Sequence, residues 1–278
     1  MNTFNYWSFG NSNNIIGVPK NNAFLIKAMN NVFGAMSLNE MMCSLSHIEG
    51  GFLSKYQAIL TYNEETKELY INGHLFCKVR GDLEPTLEAS LIGYAVKTEK
   101  NYAPLHAGSV VIDNKGILIL GQKGSGKSTL SLQLADLGAI YLGDELSFIN
   151  FDALSIKPFP KAGTLKLGSF KLFPETKNYI DYIRNDVRYY LPKKWSNDIR
   201  KLNLIIIPNY NRNSSKNNSI VPLNKGELAI TLIQQCFGGL ERDPRTINLI
   251  GKIANNIPAY VINYSSSEEA NDLIKNVL

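Results

Sequence analysis

Cysteine is scarce: the 278-residue chain has three, Cys43, Cys77 and Cys236, far apart and without a C-x-x-C pair. That excludes a disulfide framework and a zinc knuckle, and with it a reducing, cytoplasmic location is expected. Long apolar runs are missing too. The longest, such as Gly116 to Leu120 and Leu204 to Pro208, are of strand length, far short of the ~20 residues that a membrane helix needs. The opening Met-Asn-Thr-Phe-Asn-Tyr-Trp has neither a basic head nor an apolar stretch, so no secretory signal is expected and no membrane partner. Charge of one sign is absent as well: 29 Lys plus Arg face 24 Asp plus Glu, a net +5. This mild excess suits anionic ligands and falls short of a nucleic-acid-binding surface. With 44% apolar and 19% charged residues, and 21 Gly and 11 Pro, disorder and collagen-like structure are also excluded. What remains is a globular chain long enough for one large domain, or for a small one joined to a medium one.

The first hundred residues read as a small α+β domain, 1–102. Tyr56 to Tyr62 and Glu68 to Ile71 pattern as strands around the polar turn Asn63 to Lys67, and Leu87, Leu91, Ile92 and Ala95 space an amphipathic helix over Leu83 to Val96. A boundary is placed near Asn101 to Pro104. Asn-rich stretches at Asn11 to Asn14 and Asn209 to Asn218 read as loops. From His106 the pattern sharpens. Ser109 to Ile112 and Ile117 to Leu120 are apolar strands joined by Asp113-Asn114-Lys115-Gly116, where Asn and Gly tolerate positive φ. A glycine-rich loop follows, then a helix with Leu130, Leu134 and Leu137 on one face and Gly138 as its stop, then the strand Ala139 to Leu142. Leu202 to Ile207 reads as a doubly buried strand, Glu227 to Cys236 and Thr246 to Ala254 as helices, and Ala259 to Asn263 as a last strand. A final helix begins at Ser266, with Glu268 and Glu269 in its first turn.

The loop itself carries chemistry. Gly121-Gln122-Lys123-Gly124-Ser125-Gly126-Lys127-Ser128 fits G-x-x-x-x-G-K-[ST] and lies between a strand and a helix, as phosphate binding requires. In such a loop the backbone N–H groups turn inward onto the β- and γ-phosphates, with Thr129 continuing the first helical turn. Lys127 is the candidate for the β/γ oxygens and Ser128 for Mg²⁺. Phosphoryl transfer also needs a carboxylate near the metal, and Asp144-Glu145, just past a strand, are the candidates. A basic stretch of Arg184, Arg188, Lys193, Lys194, Arg200 and Lys201, interleaved with Tyr182, Tyr189, Tyr190 and Trp195, is a candidate grip on an acidic peptide or on the transferred phosphoryl group.

His106-Ala107-Gly-Ser-Val-Val-Ile-Asp, Gly121 to Thr129 and Tyr141-Leu-Gly-Asp144-Glu145-Leu-Ser-Phe-Ile together resemble the catalytic domain of HPr kinase/phosphorylase. They are still more similar to its shorter relatives, found in peptide-modification and polysaccharide gene clusters. Lys157-Pro-Phe-Pro160-Lys161 and Val221-Pro222-Leu-Asn-Lys-Gly226-Glu are weaker echoes. The resemblance implies an α/β fold, a phosphoenolpyruvate-carboxykinase-like P-loop kinase domain over 103–278. It implies transfer from ATP, with Mg, to a serine of a peptide or small protein. On this basis His106 matches the active-site histidine, Lys127 and Ser128 the Walker residues, and Asp144 the acid/base aspartate. Glu145 stands where a second aspartate is usual and is the implied metal ligand. Lys225-Gly226-Glu227 departs from the Gly-Arg-Asn signature of the bifunctional enzymes. A homo-oligomer is expected, since the relatives are hexameric. A nucleotide-binding module without transfer activity, and a kinase of a small hydroxylated metabolite, stand as alternatives.

Overall fold

The computed structural model describes residues 4–8, 15–38, 57–173, 179–180, 187–211 and 218–278. The chain is a mixed α/β protein that divides into two units, Met1–Glu99 and Lys100–Leu278. The first holds a small sheet of the strands β1 (Phe4–Ser8), β2 (Ile15–Pro19), β3 (Ser37–Leu38), β4 (Gln57–Asn63), β5 (Glu68–Ile71) and β6 (His74–Lys78), in the order β3-β1-β2-β4-β5-β6. Its helices are α1 (Ala23–Phe33) and α2 (Leu83–Thr98). The expected hairpin is β4–β5 and the expected helix is α2; Tyr56 lies outside the described residues, as do Asn11 to Asn14 and Cys43. Trp7, Met29, Phe33, Leu60 and Leu87 are among the side chains that fill this unit's core.

The second unit is built on a larger mixed sheet. Its strands are β7 (Tyr102–Leu105), β8 (Gly108–Ile112), β9 (Lys115–Ile119), β10 (Ile140–Gly143), β11 (Ser147–Asn150) and β12 (Ser155–Lys157), then, later in the chain, Arg200–Tyr210, Ser219–Pro222 and Ala259–Tyr264. Between these groups a short sheet forms from β13 (Gly163–Lys166), β14 (Tyr179–Ile180) and β15 (Val187–Tyr190), which makes the last three strands β16, β17 and β18. The order of the larger sheet is β10-β8-β9-β16-β12-β11-β7, with β18 and then β17 continuing from the second half of the long β16. Helices α3 (Lys127–Asp136) and α6 (Ser267–Lys275) cover one face; α4 (Lys225–Gln235) and α5 (Arg245–Asn256) cover the other.

Strand alternation produces these layers. Ile117 and Ile119 of β9 meet Leu130 and Leu134 of α3, while Leu118 and Leu120 meet the α4/α5 side. On α3, Leu132 and Ala135 point to a separate cluster with Leu165 and Tyr190 of the short sheet. That helix is therefore buried on two sides. Leu137, which its spacing assigns to the buried face, is 42% exposed beyond the last helical residue. Gly138 takes φ +107°, as a helix stop requires.

The β8–β9 hairpin closes through a two-residue turn in which Asp113 and Asn114 adopt positive φ, 48° and 61°. Gly116, expected in that turn, lies in β9 instead. A Cβ there would stand 2.3 Å from the Lys201 carbonyl oxygen of β16. At this contact β16 shifts register between Leu202 and Leu204, and the Asn203 side-chain oxygen takes up the Gly116 N–H at 3.1 Å. Gly116→Ala is expected to destabilise the protein by about 2 kcal/mol through overpacking of the β9–β16 contact, measured by denaturant unfolding.

Candidate phosphate-binding and transfer site

Strand direction gathers the site. β10 and β9 are both antiparallel to β8, and β16 and β18 run parallel to β9. One edge of the sheet therefore holds the carboxyl ends of β9, β10, β16 and β18 together with the start of β8. The glycine-rich loop leaves β9 there, Asp144 and Glu145 follow β10 there, and His106 precedes β8 there.

The loop runs from Gly121 to Gly126, with Gly121, Gly124 and Gly126 at φ +148°, +87° and +94°, conformations that side chains resist. It ends on Gly126, which starts α3 without any side-chain cap. In the same unit α4 and α6 both begin with complete capping boxes, Asn224 with Glu227 and Ser266 with Glu269. The first N–H groups of α3 have no acceptor within the helix. Gln122, Lys123 and Gly124 are exposed, while Ser128 and Thr129 are half-buried in the first turn. Ser125 donates its N–H to Gln122 O at 3.1 Å, and its buried Oγ has no hydrogen-bond partner among the described residues. Lys127, 5% exposed, folds back onto the loop and donates from Nζ to Gly121 O at 2.7 Å and Gln122 O at 3.1 Å. Burial pulls its pKa below the ordinary lysine value, with Glu145 and then Asp144 opposing that shift.

A residue that the motif did not reveal holds the loop's first carbonyl. Gln235, buried at the end of α4, accepts the His106 N–H at 2.8 Å. With its amide turned to face two carbonyls, it donates to Gly121 O at 3.1 Å and His106 O at 3.0 Å. Only its place at the end of an amphipathic helix was legible in the sequence.

Asp144 is fully enclosed. Its Oδ1 lies 3.1 Å from Lys161 Nζ, itself fully buried, and accepts from the Tyr141 hydroxyl at 3.0 Å. Its Oδ2 faces the Thr164 N–H at 3.4 Å. Lys161 Nζ also donates to Ala162 O at 3.1 Å. Neither Tyr141 nor Lys161 stood out as a site residue, although both lie in quoted segments. Glu145 differs: its side chain is 35% exposed and its Oε1 sits 3.3 Å from His106 Nε2. Burial, then Lys127, lower the His106 pKa from its ordinary value, and Asp144 pulls the other way. The lowered pKa favours the neutral imidazole, whose Nε2 faces the Glu145 carboxylate. His106, Lys127, Asp144 and Glu145 are brought into one electrostatic group with Lys123 and Lys161.

The described part of the basic stretch is spread over several elements. Arg200 opens β16, at the edge opposite the loop, and pairs with Asp198 at 2.9 Å, with Lys201 beside it. Arg188 lies over the Phe170 ring at 4.6 Å. Tyr189 and Tyr190 are core residues, and the Tyr190 hydroxyl bonds Asp136. Lys193 and Lys194 are exposed, and Trp195 pairs through its backbone with Tyr141. Arg184 and Tyr182 lie outside the described residues.

No three His, Cys, Asp or Glu side chains converge on a common point among the described residues. Magnesium needs no such cage, since it keeps several waters and binds substrate phosphates through one or two hard oxygens. Ser128 and Glu145 supply oxygens of that kind. The open helix start, the orphaned Ser125 Oγ and the inward Lys127 fit a polyphosphate.

No protein-family model and no curated protein matches the chain. Among solved structures, it is similar to the HPr(Ser) kinase/phosphatase from Coxiella burnetii, at 18% identity, covering 63% of this chain and 95% of that one, with a TM-score of 0.33. So loose a superposition carries no argument, and the site rests on its own geometry. No helix among the described residues is long and apolar enough to cross a membrane.

Two outcomes follow from the buried groups. Lys161→Met leaves the Asp144 carboxylate without its ion partner and is expected to cost about 3–5 kcal/mol in denaturant unfolding, with much of it recovered in the double variant with Asp144→Asn. Because the folded pKa of His106 lies below its unfolded value of 6.5, the unfolded chain binds more protons as pH falls through that range. The native protein should therefore lose stability below pH 6.5 relative to His106→Gln, read as a widening Tm difference between pH 7 and pH 5.

Proposed function

We propose that the protein is a Mg-ATP-dependent kinase that transfers the γ-phosphoryl group to a serine hydroxyl of a peptide or small protein. The observation that carries this reading is the meeting, at one sheet edge, of an uncapped helix start in a G-x-x-x-x-G-K-S loop with a neighbouring carboxylate pair. In this reading Lys127 leaves Gly121 O for the β/γ oxygens, and the loop N–H groups hold the phosphates. Ser128 and Glu145 hold the magnesium ion, which when bound neutralises charge on the phosphates. Asp144 accepts the proton of the acceptor hydroxyl as its oxygen bonds to phosphorus and the bond from phosphorus to the ADP oxygen breaks. His106, with Nε2 3.3 Å from Glu145 Oε1, stands beside that carboxylate. The protein contributes mainly position and charge.

One observation favours a second reading, a nucleotide-binding module without transfer. Asp144 has no exposed surface and is engaged by Lys161 and Tyr141, so a substrate hydroxyl reaches it only after a rearrangement. Asp144→Asn separates the two, because its amide oxygen still accepts from Tyr141 and Lys161. A kinase keeps ATP affinity within about threefold and loses about 10²-fold or more in transfer from radiolabelled ATP to serine peptides. A binding module shows no transfer in either form. Lys127→Ala is expected to abolish ATP binding measured by calorimetry, and unchanged binding would remove the site from consideration.

A further inference from the structure

We propose that the nucleoside end of the bound triphosphate lies against Tyr210 and Tyr264, at the ends of β16 and β18. Tyr210 serves as the platform for the aromatic base, and the Tyr264 hydroxyl donates to the ligand beside Gly126. This placement rests on the nucleotide reading above and adds the half of the ligand that the glycine-rich loop does not address.

The direction comes from the sheet. A triphosphate is linear, and its transferred end must face the acids. Asp144, Glu145 and His106 stand on the β8 and β10 side of the loop, so the nucleoside leaves on the other side, toward β16 and β18. Two strand spacings, about 10 Å, separate β9 from β18, a span that suits the stretch from the middle phosphate to the ribose and base.

Two aromatic residues end those strands in register. Tyr210 pairs with Tyr264 across β16 and β18, and their rings sit 5.6 Å apart at 58°. Tyr264 is 3% exposed and packs in the core cluster that includes Leu130 of α3. Its hydroxyl lies 3.7 Å from where a Cβ on Gly126 would stand, at the start of α3. No other group among the described residues takes that hydroxyl as a hydrogen-bond partner. Burial raises its pKa, so it remains a neutral donor. A hydroxyl this close to the start of α3 is placed to donate to an anionic ligand seated on the loop. Tyr210, by contrast, is 44% exposed. A large ring left in solvent next to a phosphate site is the group that stacks on a base, an interaction indifferent to base identity.

The test separates the nucleoside from its phosphates by calorimetry on the full chain, with Mg-ATP and with inorganic tripolyphosphate. Wild type is expected to bind both. Tyr210→Ala is expected to weaken ATP about 10-fold or more and to leave tripolyphosphate within about twofold, with Tyr210→Phe restoring the ATP affinity. Tyr264→Phe is expected to weaken ATP about fivefold at an unchanged Tm. If Tyr210→Ala leaves ATP affinity unchanged, or weakens both ligands alike, the placement is wrong while the phosphate loop stands. If wild type binds neither ligand, loop and placement fall together. An unchanged ATP affinity in Tyr264→Phe overturns the role of its hydroxyl.

Discussion

The register of three neighbouring strands sets where every site residue stands. β8 runs against both β9 and β10, so the start of one strand and the ends of two others meet along a single edge. A slip of one residue in either pairing would turn each side chain to the opposite face and separate the loop from the acids. The pairing of β10 with β8 shifts between Tyr141 and Gly143, immediately before the acids. Irregularities of this kind re-aim the residues beside them. Here they accompany a division in which Asp144 is sealed inside and Glu145 faces the site. Ala107 and Ser109 at the start of β8 are tied to β11 through the Ser147 hydroxyl, at 3.2 and 2.9 Å, which fixes the same edge from a second strand.

Electrostatics then acts on that frame. Lys127 donates to the Gly121 carbonyl at 2.7 Å, and the Gln235 amide, when turned, donates to it at 3.1 Å. A lysine that leaves this oxygen for an anion does not orphan it, because the glutamine still donates. Its own low exposure weakens its hold on a proton, and the two acids offset only part of that loss. The acids are arranged in series: Lys161 neutralises the inner one from behind, and His106 Nε2 lies 3.3 Å from the outer one. A negative ligand therefore meets a loop lined with N–H groups and an inward cation, rather than two bare carboxylates.

Much of this was legible before any coordinates. The order of strand, loop, helix and strand from Ser109 to Leu142 follows from short apolar runs broken by glycine, and α4, α5, β18 and α6 appear within a residue or two of their expected spans. The G-x-x-x-x-G-K-S spacing located the loop because three glycines with positive φ leave few other residue choices. Hydrophobic pattern failed where burial comes from two directions. Leu137 fits a helical face yet lies past the helix end, and Gly116 reads as a turn residue although the turn closes on Asp113 and Asn114. Lys161, Tyr141 and Gln235 could not be singled out, because each acquires its role from partners 3 to 129 residues away in the chain. The basic stretch shows a related limit of composition. Charge composition says nothing about edge, and β16 carries Arg200 and Lys201 at its start while the loop lies at its finish.

Trp195 gives the site a built-in optical label. The chain holds two tryptophans; Trp7 is sealed in the other unit, and Trp195, 38% exposed, is bridged to Tyr141, whose hydroxyl touches Asp144. Emission from a Trp7→Phe background would therefore come from the one indole whose backbone pairs with β10 just before the acids. A rearrangement of that strand end could be followed in real time without attaching a dye.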